Sequence, residues 1–250
     1  MKKLIKMKKN ILYRLCRFYI NKINSDDNDN LYTNGEYYWL KNQIKDSKVI
    51  FDVGANIGEW TKLCMSFSSR VNIHCFEPSL LTYGLLLKNL SNYDNIKFNN
   101  KALGSNNTTE ILHCSGDGLG TNSIYNRIGI DLKLDKSEEI KVETLDSYCN
   151  ANNINSIDIL KIDVEGHELE VLKGAIKTLS LGHIKCIQFE YGGTYIDSRI
   201  LLKDIFEILL PFGYEFFKIY PNRLKHISDY SQIHENFKYS NWVAIHKENK

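Results

Sequence analysis

The chain has 250 residues, 43% hydrophobic and 25% charged, which suits one α/β domain carrying a short extension. Its 32 basic and 30 acidic side chains leave a formal charge of +2, too little for a molecule-wide field that would attract nucleic acid. Six cysteines without a C-x-x-C pair argue against a zinc ribbon and fit a reducing, cytoplasmic setting.

Residues 1–30 are predicted to form an extension separate from a catalytic domain over 31–250. Met1 to Asn24 holds eight basic residues and no acidic one. Its apolar residues Leu4, Met7, Ile11, Leu12, Leu15, Phe18 and Tyr19 step by three and four, the spacing of an amphipathic helix. Arg14 and Arg17 interrupt the apolar stretch, so it reads neither as a signal peptide nor as a membrane span. Two roles stay open: a helix capping the domain, or a peripheral contact with the inner face of a membrane through residues 1–24. Ser25 to Asn30 reads as a polar linker.

From residue 48 the pattern alternates. Val49–Val53 is predicted as a buried strand, followed by a helix from Gly58 to Ser66, a strand over Val71–Phe76 and a helix over Ser79–Leu90. A short strand at Asn95–Phe98 comes next. Glu110–His113, Asn122–Tyr125 and Glu139–Val142 read as short antiparallel strands around a glycine-rich loop, Gly116 to Gly120. Alternation resumes with a strand at Ile157–Ile162, a helix over Glu168–Leu179, a strand at Lys185–Phe189 and a helix over Ile200–Leu210. Tyr214–Ile219 and Trp242–Ile245 close the sheet as an antiparallel pair. The predicted fold is a doubly wound, Rossmann-like α/β sheet with a small antiparallel insertion and an N-terminal helical extension.

The first strand runs into Asp52-Val-Gly-Ala-Asn-Ile-Gly58. Gly54 and Gly58 allow a sharp turn and a close backbone approach to a ligand. The spacing is G-x-x-x-G rather than the G-x-G-x-x-G of a dinucleotide fold. Asp52 would repel a pyrophosphate and favour a ligand with positive charge, such as the sulfonium and ammonium groups of S-adenosylmethionine. Glu77, at the end of the second strand, stands where an acid accepts hydrogen bonds from ribose hydroxyls.

Leu160-Lys-Ile-Asp-Val-Glu-Gly-His-Glu168 ends the strand after the insertion, with Lys161, Asp163 and Glu165 on one side and Asp163 close to the methionine end of that cofactor. Glu190 ends the neighbouring strand. Methyl transfer to a hydroxyl needs an aligned acceptor and removal of a proton, so Asp163, Glu165, His167 and Glu190 are the candidate bases. The same carboxylates would suit a divalent cation bridging substrate hydroxyls. Tyr125, Tyr191 and Tyr195 offer faces on which a sugar could stack.

Taken together these residues resemble the FkbM family of S-adenosylmethionine-dependent methyltransferases over about residues 48–246. The likeness rests on Phe51-Asp-Val-Gly-Ala-Asn-Ile-Gly58, Phe76-Glu-Pro78, Lys101-Ala-Leu-Gly104, Thr121-Asn-Ser-Ile124, Val142-Glu-Thr-Leu-Asp146 and the Leu160 to Glu168 stretch. It implies a seven-stranded methyltransferase sheet and O-methylation of a hydroxyl on a sugar, glycan or other small natural product. By that likeness Asp52, Gly54, Ala55, Asn56, Gly58, Glu77 and Pro78 surround the cofactor, and Asn100 to Ala102 pass near the adenine. Lys101 takes a position where many methyltransferases carry an acid. The competing readings are a nicotinamide-dependent dehydrogenase or epimerase, which lacks the third glycine, and an RNA methyltransferase or RNA-binding protein, which lacks a basic stripe.

Overall fold

The computed structural model describes residues 2–114, 122–125 and 136–249, with side chains from residue 11 to 248 among them. An amphipathic helix α1 (Lys2–Asn24) and a short helix α2 (Glu36–Gln43) precede the first strand, β1 (Val49–Val53). Then follow α3 (Glu59–Phe67), β2 (Asn72–Phe76), α4 (Leu80–Leu90) and β3 (Ile96–Asn99). The insertion comprises β4 (Ala102–Leu103), β5 (Thr108–Cys114) and β6 (Lys136–Glu143), leading into α5 (Leu145–Ala151). The second half runs through β7 (Ile157–Ile162), α6 (Glu168–Lys173), α7 (Ile176–Ser180), β8 (Ile184–Tyr191), α8 (Thr194–Ser198) and α9 (Leu202–Leu209). It ends in β9 (Tyr214–Tyr220), β10 (Arg223–Ile227) and β11 (Ser240–His246).

The main sheet has the order β10-β9-β11-β8-β7-β1-β2-β3. The pairs from β3 to β8 are parallel, whereas β11 runs antiparallel between β8 and β9. This is the Rossmann-like methyltransferase arrangement of seven strands with one more added. The extra edge strand, β10, pairs with β9 in a hairpin. It was not visible in the sequence because Arg223-Leu-Lys-His-Ile227 is half-exposed and carries no apolar run.

The pleat explains the two cores. Phe51 and Val53 point to one face, with Leu160, Ile162, Ile187 and Phe189, and pack under α5, α6, α7 and α9. Ile50 points to the other, with Ile73, Ile159 and Val243, and packs under α2, α3 and α4. Both faces are therefore covered, as parallel strands require.

Three expectations need adjustment. The helix predicted over Glu168–Leu179 is split, because Gly174 lies against the backbone of Gly104, whose oxygen would be 2.0 Å from any Cβ there. Asn122–Tyr125 forms no strand; Ser123 makes a single bridge to His113. Side chains 11–20 of α1 are all exposed, so this stretch of the helix does not cover the domain. The polar stretch Ser25 to Asn30 is anchored to the domain: Asp26 is buried in an ion pair with Lys218, and the Asp27 N–H donates to the Tyr239 carbonyl at 2.9 Å. Gly116 to Gly120 and Thr121 lie outside the described residues. Among the described residues no helix is long and apolar enough to cross a membrane.

Candidate functional site

The chain order reverses between β1 and β7, since β2 and β3 lie on one side of β1 while β7 and β8 lie on the other. Loops leaving such adjacent strands diverge and open a crevice at their carboxyl ends. A crevice of about 700 Å³, counted with its open space, occupies that place.

The loop after β1 forms its floor. Gly54 has φ +82°, and a Cβ there would sit 1.8 Å from the Asp163 carbonyl oxygen, so only glycine lets the two switch-point loops touch. The Gly54 and Ala55 N–H groups both donate to the Phe76 carbonyl at 3.0 Å. Asn56, at φ 48°, then turns its N–H onto Glu77 Oε2 at 3.0 Å, while Ser79 N–H holds Oε1 at 3.0 Å. Two backbone donors thus fix the Glu77 carboxylate against the cavity. Burial raises its pKa to about 7 in spite of them. Two further cavity atoms, Asn56 Oδ1 and Thr82 Oγ1, are buried with no hydrogen-bond partner. Buried polar atoms seldom stay unpaired, and a polar ligand in this cavity would satisfy them.

The far wall is apolar and comes from the insertion. Ala102, Leu103, Leu112 and Ile124 line it together with Phe76 and Pro78. His167, the residue preceding α6, closes this end. Its Nδ1 lies 3.2 Å from the Tyr125 hydroxyl, and burial lowers its pKa to about 4. It is a neutral wall residue near Gly104 rather than an exposed helix-start residue.

Asp163 and Glu165 also line the cavity, and the Ser123 hydroxyl donates to the Glu165 carbonyl at 2.9 Å. Glu165 has φ 54° and Gly166 φ 101°, a left-handed pair that turns the chain from β7 into α6. Glu168, buried below them, accepts from the N–H groups of Val164 and Gly166 at 3.1 and 3.4 Å, and burial raises its pKa to about 7. Glu190, half-buried at the end of β8, is outside the cavity lining. Burial, then the charges of Asp163 and Glu165, lift its pKa well above the carboxylate range.

Beneath this mouth lies a row of polar groups that pattern reading left unassigned. Lys161, one residue before the end of β7, is 3.0 Å from Asp163 and 3.4 Å from Asp52, with its side chain only 7% exposed. Asp52 is fully buried and also accepts from the Thr61 hydroxyl at 2.6 Å. Farther along, Glu36 of α2 accepts from Gln188 and from Asn241 and Asn34, at 3.0 and 2.7 Å for the last two. The signal for Lys161 was present: a lysine in the otherwise apolar run of β7 needs an anionic partner. Nothing in the sequence placed Glu36, because its partners lie 152 and 205 residues away.

Several predicted site residues stand away from the cavity. Asp52 is not part of its lining and is ion-paired with Lys161 at 3.4 Å. Ala55 is buried in the core behind the loop, and Gly58 packs on Leu86 and Leu90. Asn100 donates to the carbonyls of Glu77 and Pro78 at 3.0 and 2.9 Å, bracing the loop rather than lining the cavity. Lys101 pairs with Glu143 at 3.0 Å. Gly54, Asn56, Glu77, Pro78, Ala102, Asp163, Glu165 and His167 do meet around one cavity. Tyr191 and Tyr195 are core residues, and only Tyr125 of the three tyrosines stands beside the site. Among the described residues no three His, Cys, Asp or Glu side chains are gathered as a metal ion would require.

The chain is 25% identical over 165 residues to the hexuronic acid methyltransferase AglP of Haloferax volcanii, covering 66% of this chain and 65% of that protein. It is 27% identical over 180 residues to the 2-O-methyltransferase NoeI of Sinorhizobium fredii, covering 67% and 73%. Among solved structures it is similar to a precorrin-6y C5,15-methyltransferase from Geobacter metallireducens, at 12% identity and a TM-score of 0.46, over 88% of this chain and 93% of that one. The family model described as the methyltransferase FkbM domain matches residues 52–216, and the chain belongs to that family.

Proposed function

We propose that the cavity binds S-adenosylmethionine and that the protein transfers its methyl group to a hydroxyl of a sugar or uronic acid. The observation that carries this reading is the Glu77 carboxylate, held by two backbone donors against a cavity that also contains the unpaired Asn56 Oδ1 and Thr82 Oγ1. That set matches a ribose diol and its neighbouring polar atoms. The apolar wall of Ala102, Leu103, Leu112 and Ile124 suits an adenine ring, and the Asp163 and Glu165 carboxylates suit an ammonium and a sulfonium. The bound cofactor supplies an electrophilic methyl group and a neutral thioether leaving group.

The chain's own residues would do three things. The switch-point loops fix the position of the reacting carbon, and alignment of this kind is worth several kcal/mol. Lys161 holds Asp163 at the mouth, where it can orient the acceptor hydroxyl. Asp163 and Glu165, which line the cavity, are the favoured proton acceptors, and general base catalysis contributes roughly 10²–10⁴-fold; Glu190 lies outside the lining, and burial favours its protonated form. His167 is a weaker base, since burial lowers its pKa to about 4.

The two named relatives support a sugar hydroxyl as acceptor. A test is transfer of labelled methyl from S-adenosylmethionine to a panel of hexoses, hexuronic acids and their glycosides. Label in a uronic acid or hexose product, absent with Asp163→Asn, supports the reading. Label in none of the panel, with cofactor binding intact, would move the acceptor to another chemical class.

A further inference from the structure

We propose that α1 is a lipid-surface anchor that seats the protein on an anionic membrane leaflet, with its root beside the mouth of the site. The helix runs 23 residues, and its described side chains make no core of their own with the domain. Leu12, Leu15, Phe18 and Tyr19 are 63, 61, 67 and 65% exposed. Stepping about 100° per residue puts Phe18, Ile11, Leu15, Tyr19, Leu12 and Ile23 within an arc of about 140°, with Arg14, Arg17 and Asn21 on the other side. Lys22 falls inside the apolar arc, where a long stem can lie along the surface and its ammonium reach the headgroups.

Charge selects the occupant. Eight basic and no acidic residues in Met1 to Asn24 repel a second copy of the same helix and attract phosphate headgroups. A basic face opposite an aromatic and aliphatic face is the pattern of a helix lying in the interface plane. Single apolar residues on a surface need no explanation, but an exposed apolar arc of this size, interrupted among the described side chains only by Lys22, does.

The root is fixed, not hinged. Asp26 pairs with Lys218, Lys238 reaches Asn21, and the Asp27 N–H binds the Tyr239 carbonyl. Tyr239 precedes β11, whose first residue, Ser240, pairs with Tyr191 at the carboxyl end of β8. The helix therefore leaves the domain at the end of the sheet where Asp163 and Glu190 stand.

The test is co-sedimentation of the full chain with vesicles of phosphatidylcholine alone or with added phosphatidylglycerol, for wild type and for Leu15→Glu/Phe18→Glu. Because neither side chain packs on the domain, S-adenosylhomocysteine binding by the variant checks that the fold is intact. The proposal predicts binding to the anionic vesicles about tenfold above neutral ones, and a loss of about tenfold in the variant with ligand binding unchanged. Equal binding to both vesicle types, binding that survives the double substitution, or a dimer abolished by it without any vesicle binding would each overturn the proposal. Loss of ligand binding by wild type would instead count against the transferase reading and leave the anchor standing.

Discussion

Replacing Lys161 by methionine tests the polar row beneath the site most sharply. The substitution keeps the stem and removes the charge that lies 3.4 Å from Asp52 and 3.0 Å from Asp163. Asp52 is fully buried and would keep only the Thr61 hydroxyl, so an uncompensated charge is left inside the sheet. Breaking a buried pair from one side costs about 3–5 kcal/mol, a large part of the roughly 5–15 kcal/mol that holds a domain together. Asp52→Asn is the milder lesion, because Lys161 still has Asp163. In the double variant the stranded charge is gone, so its loss should fall short of the sum of the singles by about 1–3 kcal/mol. Urea unfolding followed by tryptophan fluorescence reads this directly, since Trp60 lies 5.7 Å from the Lys161 ammonium. Losses that simply add would mean that Asp52 and Lys161 do not depend on each other.

Four more expectations follow from the geometry. Gly54→Ala should abolish S-adenosylhomocysteine binding in calorimetry, because the new Cβ meets the Asp163 carbonyl at 1.8 Å and φ is +82°. Asp163→Asn should weaken that binding and lower turnover by about tenfold or more. Glu77 and Glu168 both keep their protons up to about pH 7 in the fold, against an ordinary value of 4.5. The folded state thus binds more protons than the unfolded chain in that interval, so stability should fall as pH rises from about 4.5 to 7, and Glu168→Gln should flatten that slope in urea midpoints. His167, neutral above about pH 4, should not shape the pH–rate profile, so His167→Asn should leave the position of the acid limb where it was.

Much of the fold could be read from the chain because parallel strands buried on both faces leave strong runs. Ile157–Ile162 was predicted with the bounds observed, and the β1 loop was recognised from Gly54 and Gly58. The elements that escaped are those whose residues do not advertise burial: α2 with its polar Glu36, the half-exposed β10, and α5 following the Thr144 cap. Within the candidate site, Glu77 and Asp163 line the cavity as the spacing led one to expect, whereas Asp52 does not. Side chains alternate along a strand, and no pattern says which face meets the ligand until the register with β7 is known. The apolar wall of Leu112 and Ile124 was hidden for a similar reason. It reaches the cavity only because β5 and β6 fold back over β4.

The most direct test of the central claim is calorimetric titration of the purified chain with S-adenosylhomocysteine, with NAD as the parallel ligand and Glu77→Ala as the control protein. The account predicts micromolar binding of the first ligand that Glu77→Ala removes, and no heat from NAD. Binding of NAD, or S-adenosylhomocysteine binding indifferent to Glu77, would contradict it.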